Sequence, residues 1–191
     1  MKYLASTAAA LAVLASGAMA APEKYILDAS HSQVVFTYDH LGYSTTYNMF
    51  AGFDGEIIFD AEDPAASSVS VSMPVMSLFT GWEKRFEHFM SEDFFGATEE
   101  DMISFTSTGI EVTGDDTAMI TGDLTMNDVT KSVTLDARLN KADTHPMMGK
   151  PWMGFDATTT ILRSDFGAGM FVPNIGDELT VMISIEAMKA E

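Results

Sequence analysis

The sequence predicts an all-β domain of about eight antiparallel strands in an up-and-down β-barrel, with one short helix near the barrel mouth. A two-sheet sandwich is the alternative. Three observations carry this. Apolar residues recur with period two along most of the chain, which is the strand signature. Tight-turn sequences separate the alternating runs. No strand–helix–strand rhythm appears, so a parallel sheet is excluded. That many antiparallel strands must hide their edges, and closure does so.

The elements follow in chain order. Residues 1–20, MKYLASTAAALAVLASGAMA, read as a signal peptide. Lys2 supplies the positive end, residues 4–14 the short apolar run, and Ala18-Met19-Ala20 the cleavage pattern, with the cut after Ala20. Ala21 onward, residues 21–191, then forms a single domain, exported most simply to a bacterial periplasm. Residues 33–40 alternate cleanly, with Val34, Phe36, Tyr38 and His40 on one face. Residues 46–59 are broken by Gly52 and Gly55. Phe53, Ile57 and Phe59 share a face that Phe50 does not, so a bulge or bend near Gly52 is required. Residues 67–73 place Val69, Val71 and Met73 opposite serines. Residues 81–92 carry the helix, with Trp82, Phe86, Phe89 and Met90 on one face. Residues 102–112, 117–126, 129–139, 155–164 and 178–187 read as further strands. Gly114-Asp115-Asp116, Asn127-Asp128 and residues 60–64 are turns between them.

Composition excludes several classes of function. The chain has 191 residues, 28 acidic and 10 basic side chains, and a formal net charge of −18. Clustered Lys and Arg are what nucleic acid requires, and anionic lipid attracts basic segments; this chain offers neither. It has no cysteine, so disulfides, thiolate metal sites and thiol nucleophiles are absent. Fifteen methionines are many for this length, and methionine suits sites that take floppy tails.

Five segments in order resemble the YceI-like family of exported lipid-binding proteins: YILDASHSQVVFTYDHLGYS (25–44), FAGFDGEIIFD (50–60), RFEHFMSEDFF (85–95), GDLTMNDVTKSVTLDA (122–137), and the closing pair TTTILRSDFGAG with VPNIGDELTVMISIEA. The resemblance implies a lipocalin-like barrel around a long apolar tunnel. It implies a polyisoprenoid chain, a quinone tail or a related amphiphile inside, and no catalytic site. There are departures. Asn48 stands where the family usually has Gly, residues 74–79 replace a stretch that usually holds an acid, and Ile103 replaces a common proline.

From periodicity alone, the inward stripe of Val34, Phe36, Tyr38, Phe53, Ile57, Phe59, Phe105, Phe155, Ile161, Val181 and Ile183 is either a filled core or a tunnel wall. The resemblance favours the wall, with Phe86 and Phe89 adding to it from the helix. That helix either plugs the barrel end or covers the tunnel mouth. Arg85 and His88 lie one turn apart on it, and His40 and Arg163 end inward-facing stripes. These four are candidates for holding a head group through Arg and His donors, or are simply surface and salt-bridged residues. The expected function is a periplasmic carrier of an isoprenoid-type lipid, with a fatty-acid-type amphiphile as the second choice. A rival is a Met/His copper-handling module built on the loop HPMMGKPWMG, where Met147, Met148, Met153 and His145 offer soft ligands. His31-Ser32 carries no nucleophile-elbow motif, so an enzyme is not expected. The acidic clusters at 60–63, 99–101 and 115–116 lack calcium-loop spacing and read as solvated turns. No cofactor is implied beyond the lipid. Transient membrane contact and a homodimer are both compatible with the sequence.

Overall fold

Residues 21–191, the part of the chain that the computed structural model describes, form ten strands and one α-helix. The leader expected at residues 1–20 lies outside the described residues. The strands are β1 (Glu23–Leu27), β2 (Gln33–His40), β3 (Ser44–Phe50), β4 (Asp54–Phe59), β5 (Ser68–Pro74), β6 (Met102–Val112), β7 (Thr117–Met126), β8 (Val129–Thr144), β9 (Pro151–Leu162) and β10 (Glu178–Lys189). The helix α1 (Glu83–Met90) lies between β5 and β6.

Their order is β1-β4-β5-β6-β7-β8-β9-β10-β2-β3, and β10 also pairs with β1. β10 therefore meets β2 along Thr180–Ser184 and β1 along Ala187–Lys189. β1 and β2 are two halves of one broken stave. β3 and β4 are two halves of the next, because β2 pairs with β3 and β1 with β4. Every pairing is antiparallel, and the result is a closed, lipocalin-like barrel of eight staves.

Local chemistry accounts for the breaks. The β3–β4 bend falls at residues 51–53, where Gly52 has φ 69°. That bend lets Phe50 and Phe53 both point inward, as the conflicting phases of residues 46–59 require. The β7–β8 turn carries Asn127 and Asp128 at φ 52° and 57°, the paired left-handed conformation of a type I′ hairpin. Gly122 in β7 lies under the Phe105 ring, and a Cβ there would come within 2.4 Å of it. The helix starts at Glu83, because Trp82 is still extended at φ −153°.

The β1–β2 break is held by side chains. Asp28 accepts hydrogen bonds from the Ser30 amide and hydroxyl and lies 2.6 Å from His31 Nδ1. The hydrogen bond to Asp28 and the charges of Asp28 and Glu186 hold the His31 pKa above the ordinary imidazole value. Burial pushes the Asp28 pKa up, but the bonds from His31 and Ser30 outweigh it and leave it below the ordinary carboxylate value. The signs follow from linkage. Protonated His31 favours the fold, so its contribution is complete below about pH 6.5 and disappears as pH rises through the raised folded value. The Asp28 contribution is present above about pH 3.9 and disappears as pH falls through the depressed folded value. A melting-temperature profile over pH should therefore decline on the alkaline side of pH 6.5. His31→Gln should lack that decline, and Asp28→Asn should lack both slopes. Superimposable profiles for wild type and His31→Gln would refute the coupling.

The interior differs from one end to the other. At the end away from α1, Tyr25, Leu27, Met153 and Ala187 are buried along the β1–β10–β9 side of the barrel. Above them, inward residues of the same strands, such as Phe155, Ile161 and Ile183, are only half-buried. Their inner faces border open space rather than packed atoms, which distinguishes a tunnel wall from a filled core. Among the described residues, no helix is long and apolar enough to cross a membrane.

Candidate ligand tunnel

A cavity of about 1320 Å³ runs through the barrel. Its wall is mainly aliphatic and aromatic. Of the expected tunnel residues, Val34, Phe36, Tyr38, Phe53, Ile57, Phe59, Phe89, Phe105, Phe155, Ile161, Val181 and Ile183 line it. Phe86 does not; it is half-buried and packs against the core. The stripe also omitted lining residues that the same alternation points to, among them Val69, Val71, Ile120, Leu124 and Leu135.

Aromatic contacts organise the helix end. Phe36 stacks on Phe50 with ring centroids 5.5 Å apart. The segment from α1 to residue 97 lies over this wall. Phe89 meets Tyr38 at 6.3 Å and Phe95 meets Phe50 at 6.2 Å. Phe94 packs beside His88, and Phe171 approaches both from the β9–β10 loop. Asn127 fastens the segment by donating its side-chain amide to the carbonyls of Phe94 and Phe166. The helix thus serves as a cover across the mouth, seated through aromatic edges rather than sealed into the core.

The four expected head-group residues all border the cavity, but their chemistry differs. Arg163 is buried. Its Nε donates to Gly176 O and its Nη2 to Ile175 O, while Nη1 serves Ala168 O and Met170 O. Burial lowers its pKa, and Asp177 and Tyr38 oppose that. Four of its five N–H donors go to backbone carbonyls, so Arg163 clamps the β9–β10 loop and keeps only one Nη2 proton of the head-group donors expected there. Arg85 gives one bond to Thr80 O at 2.9 Å. His88 is half-exposed, 3.5 Å from Asp93. His40 closes β2 at the rim and bridges to Ile175. At the opposite end Asp115, Asp116, Arg138 and Asp156 also border the cavity. These were unmarked in the sequence, where they read as solvated turn and outer-strand residues.

Asn48 does not border the cavity, although Thr46 and Phe50 on the same strand do. Asn48 is 3 % exposed, and neither its Oδ1 nor its Nδ2 has a hydrogen-bond partner. It is the cross-strand partner of Phe36 and lies between inward-facing Thr46 and Phe50. Leaving a buried polar group unpaired costs about 1–3 kcal/mol.

The methionine-rich loop is not beside the tunnel mouth. It joins β8 to β9 at the end away from α1, outside the lining of the cavity. Met147 and Met148 are exposed, whereas Met153 is buried. His145 Nδ1 accepts the amides of Met147 and Met148, and its ring packs on Trp152 at 4.7 Å.

A closed antiparallel barrel around a long apolar cavity, with a short helix across its mouth, defines a lipocalin-like binding barrel. Within that class the chain belongs to the YceI-like family: the YceI-like domain model matches residues 25–187. Protein YceI of Shigella flexneri is 38% identical over 186 residues, covering 97% of this chain and 96% of that one. A UPF0312 protein of Pseudomonas putida is 40% identical over 167 residues, 87% of this chain and 86% of its own. Among solved structures, a Campylobacter jejuni YceI protein has a TM-score of 0.71 at 27% identity, over 80% of this chain and 90% of that one. The fold is also that of a polyisoprenoid binding domain from Saccharophagus degradans, with TM-score 0.67 and 13% identity over 87% of this chain and 98% of that domain.

Proposed function

We propose that the protein is an exported carrier that holds a long isoprenoid-type lipid, a polyprenyl or quinone tail, inside the barrel. The observation that carries this reading is the apolar cavity of about 1320 Å³. Ordinary ligand pockets occupy about 300–1,000 Å³, so this one suits a chain rather than a compact molecule. Burying such a tail gains roughly 25 cal/mol per Å² of apolar surface and needs no charge, in keeping with a net charge of −18. The polyisoprenoid binding named for the Saccharophagus degradans domain supports the same ligand class. The role is binding rather than catalysis, and the leader reading places it in the periplasm. Protein purified from a lipid-containing host should yield an extractable prenyl lipid by mass spectrometry. A folded protein that carries none, and binds none from a quinone and prenol panel, overturns the proposal.

The mouth has a surface suited to loading. Tyr43, Tyr47, Phe79, Trp82 and Phe171 are all at least half exposed around the helix end. Tyr and Trp favour the membrane–water interface. The carrier would touch a bilayer there transiently, through rings rather than charge. Transfer of a fluorescent prenyl lipid from phosphatidylcholine vesicles should slow several-fold in Phe79→Ala with Tyr43→Ala, two residues outside the cavity lining, with unchanged equilibrium affinity. An unchanged transfer rate would exclude this docking face.

A further inference from the structure

At the end away from α1 the cavity wall is built partly from small side chains. Val112, Ala118, Ala137 and Ala157 are successive cross-strand partners on β6, β7, β8 and β9, and all four border the cavity. One layer nearer the middle, the same wall carries Ile110, Ile120 and Leu135. An eight-stranded barrel is narrow enough for larger side chains to fill it, so three alanines in one layer keep the bore open. Beyond them, the residues that border the cavity are themselves exposed. These are Ala61 and Pro64 after β4, and Gly114, Asp115 and Asp116 in the β6–β7 turn. A wall residue that also meets solvent marks an opening. Val112, 47 % exposed, carries the apolar wall out to it. Charge also separates the two ends. Arg85, His88 and Lys84 border the cavity from the cover, whereas the carboxylates that border it, Asp115, Asp116 and Asp156, all lie at the far end beside Arg138.

We infer that the tunnel is open at both ends, and that the far mouth, between Ala61, Val112 and the β6–β7 turn, lets the apolar end of a bound chain leave the barrel. The ligand class is a prenyl chain longer than the bore, gripped along its middle with its head under the cover. An acidic rim repels an anionic head, so the tail is the end that reaches it. β6 has 11 residues; at about 3.3 Å per residue and the tilt of about 40° usual in barrels, the bore is roughly 25 Å long. The gain from burying apolar surface grows with chain length only until that bore is filled. With a far mouth, a longer chain keeps the whole gain without folding back. A blind end would reject it, because extra methylenes forced into a filled space strain the wall.

This inference rests on the carrier reading, and the experiment separates the two. Geranylgeraniol is shorter than the bore and solanesol is longer. Each is given an azide at its tail end and bound to wild type, and a water-soluble cyclooctyne then tags any azide that reaches solvent. Both chains should bind, and the solanesol azide should be tagged severalfold faster than the geranylgeraniol azide. Ala61→Trp with Val112→Trp narrows the far mouth at two exposed positions. This variant should keep the wild-type affinity for geranylgeraniol, which also shows that it is folded, and should bind solanesol severalfold more weakly. Rejection of solanesol by wild type, equal tagging of the two chains, or unchanged solanesol binding in the double variant overturns the second mouth and leaves the carrier reading intact. Failure of wild type to bind either chain overturns both.

Discussion

Phe36→Asp should abolish lipid retention and cost the barrel at least about 3–5 kcal/mol, the range for truncating a buried Phe. Phe36 is 7 % exposed, lines the cavity and stacks on Phe50. The new carboxylate would sit in place of a buried aromatic ring, so it must take up a proton or destabilise the fold. Against a total stability of about 5–15 kcal/mol, the variant could unfold and lose its lipid for that reason alone. Leu135→Trp supplies the control. Leu135 borders the cavity from β8 beside Ile120, and an indole there fills tunnel volume without adding charge. Its melting temperature should stay at or above the wild-type value while prenyl-lipid capacity falls severalfold. Full lipid capacity in Leu135→Trp would show that the ligand does not occupy the middle of the barrel.

Arg163→Met should lower stability by about 3–5 kcal/mol. The guanidinium makes several charge-assisted hydrogen bonds worth roughly 1.5–3 kcal/mol each, which do not add in full. In a chain of this size that is about 10 °C or more in melting temperature. Loss of the clamp frees the carbonyls of Ala168, Met170, Ile175 and Gly176, so limited proteolysis should cut first between β9 and β10. Arg163→Lys should not rescue, because one ammonium cannot reproduce the planar fork. A near-wild-type melting temperature for Arg163→Met, with lower affinity for an anionic lipid, would restore the head-group role instead.

The contrast between Arg163 and Phe36 shows where the sequence is readable. Phe36 belongs to a period-two run, and its inward face follows from its neighbours at two-residue spacing. The bounds of β2, β6 and β7 fell where that pattern starts and stops. Arg163 ends the same kind of run, but its partners are backbone carbonyls, which no residue type reveals. β1 escaped notice because EKYIL is too short for alternation to speak; it is a strand through its partners on β4 and β10. β8 runs on to Thr144 through a polar stretch beyond the cavity, after an irregularity between Leu139 and Lys141. Asn48 was legible as a departure from the family pattern, but its lack of a partner emerges only when β3, the 79–80 segment and the cover are brought together.

The pairing of β1 with β10 also sets the timing of folding. Tyr25 opposes Lys189 across that seam, so the first strand of the barrel waits for nearly the last residue of the chain. Until then the paired β1 and β4 have one bare edge on β1, and the cavity has no closed wall. Such distant pairing makes folding slow. For an exported carrier of the kind proposed above, that delay would be useful: the chain stays threadable while it is being made, and the container closes only once β10 has arrived.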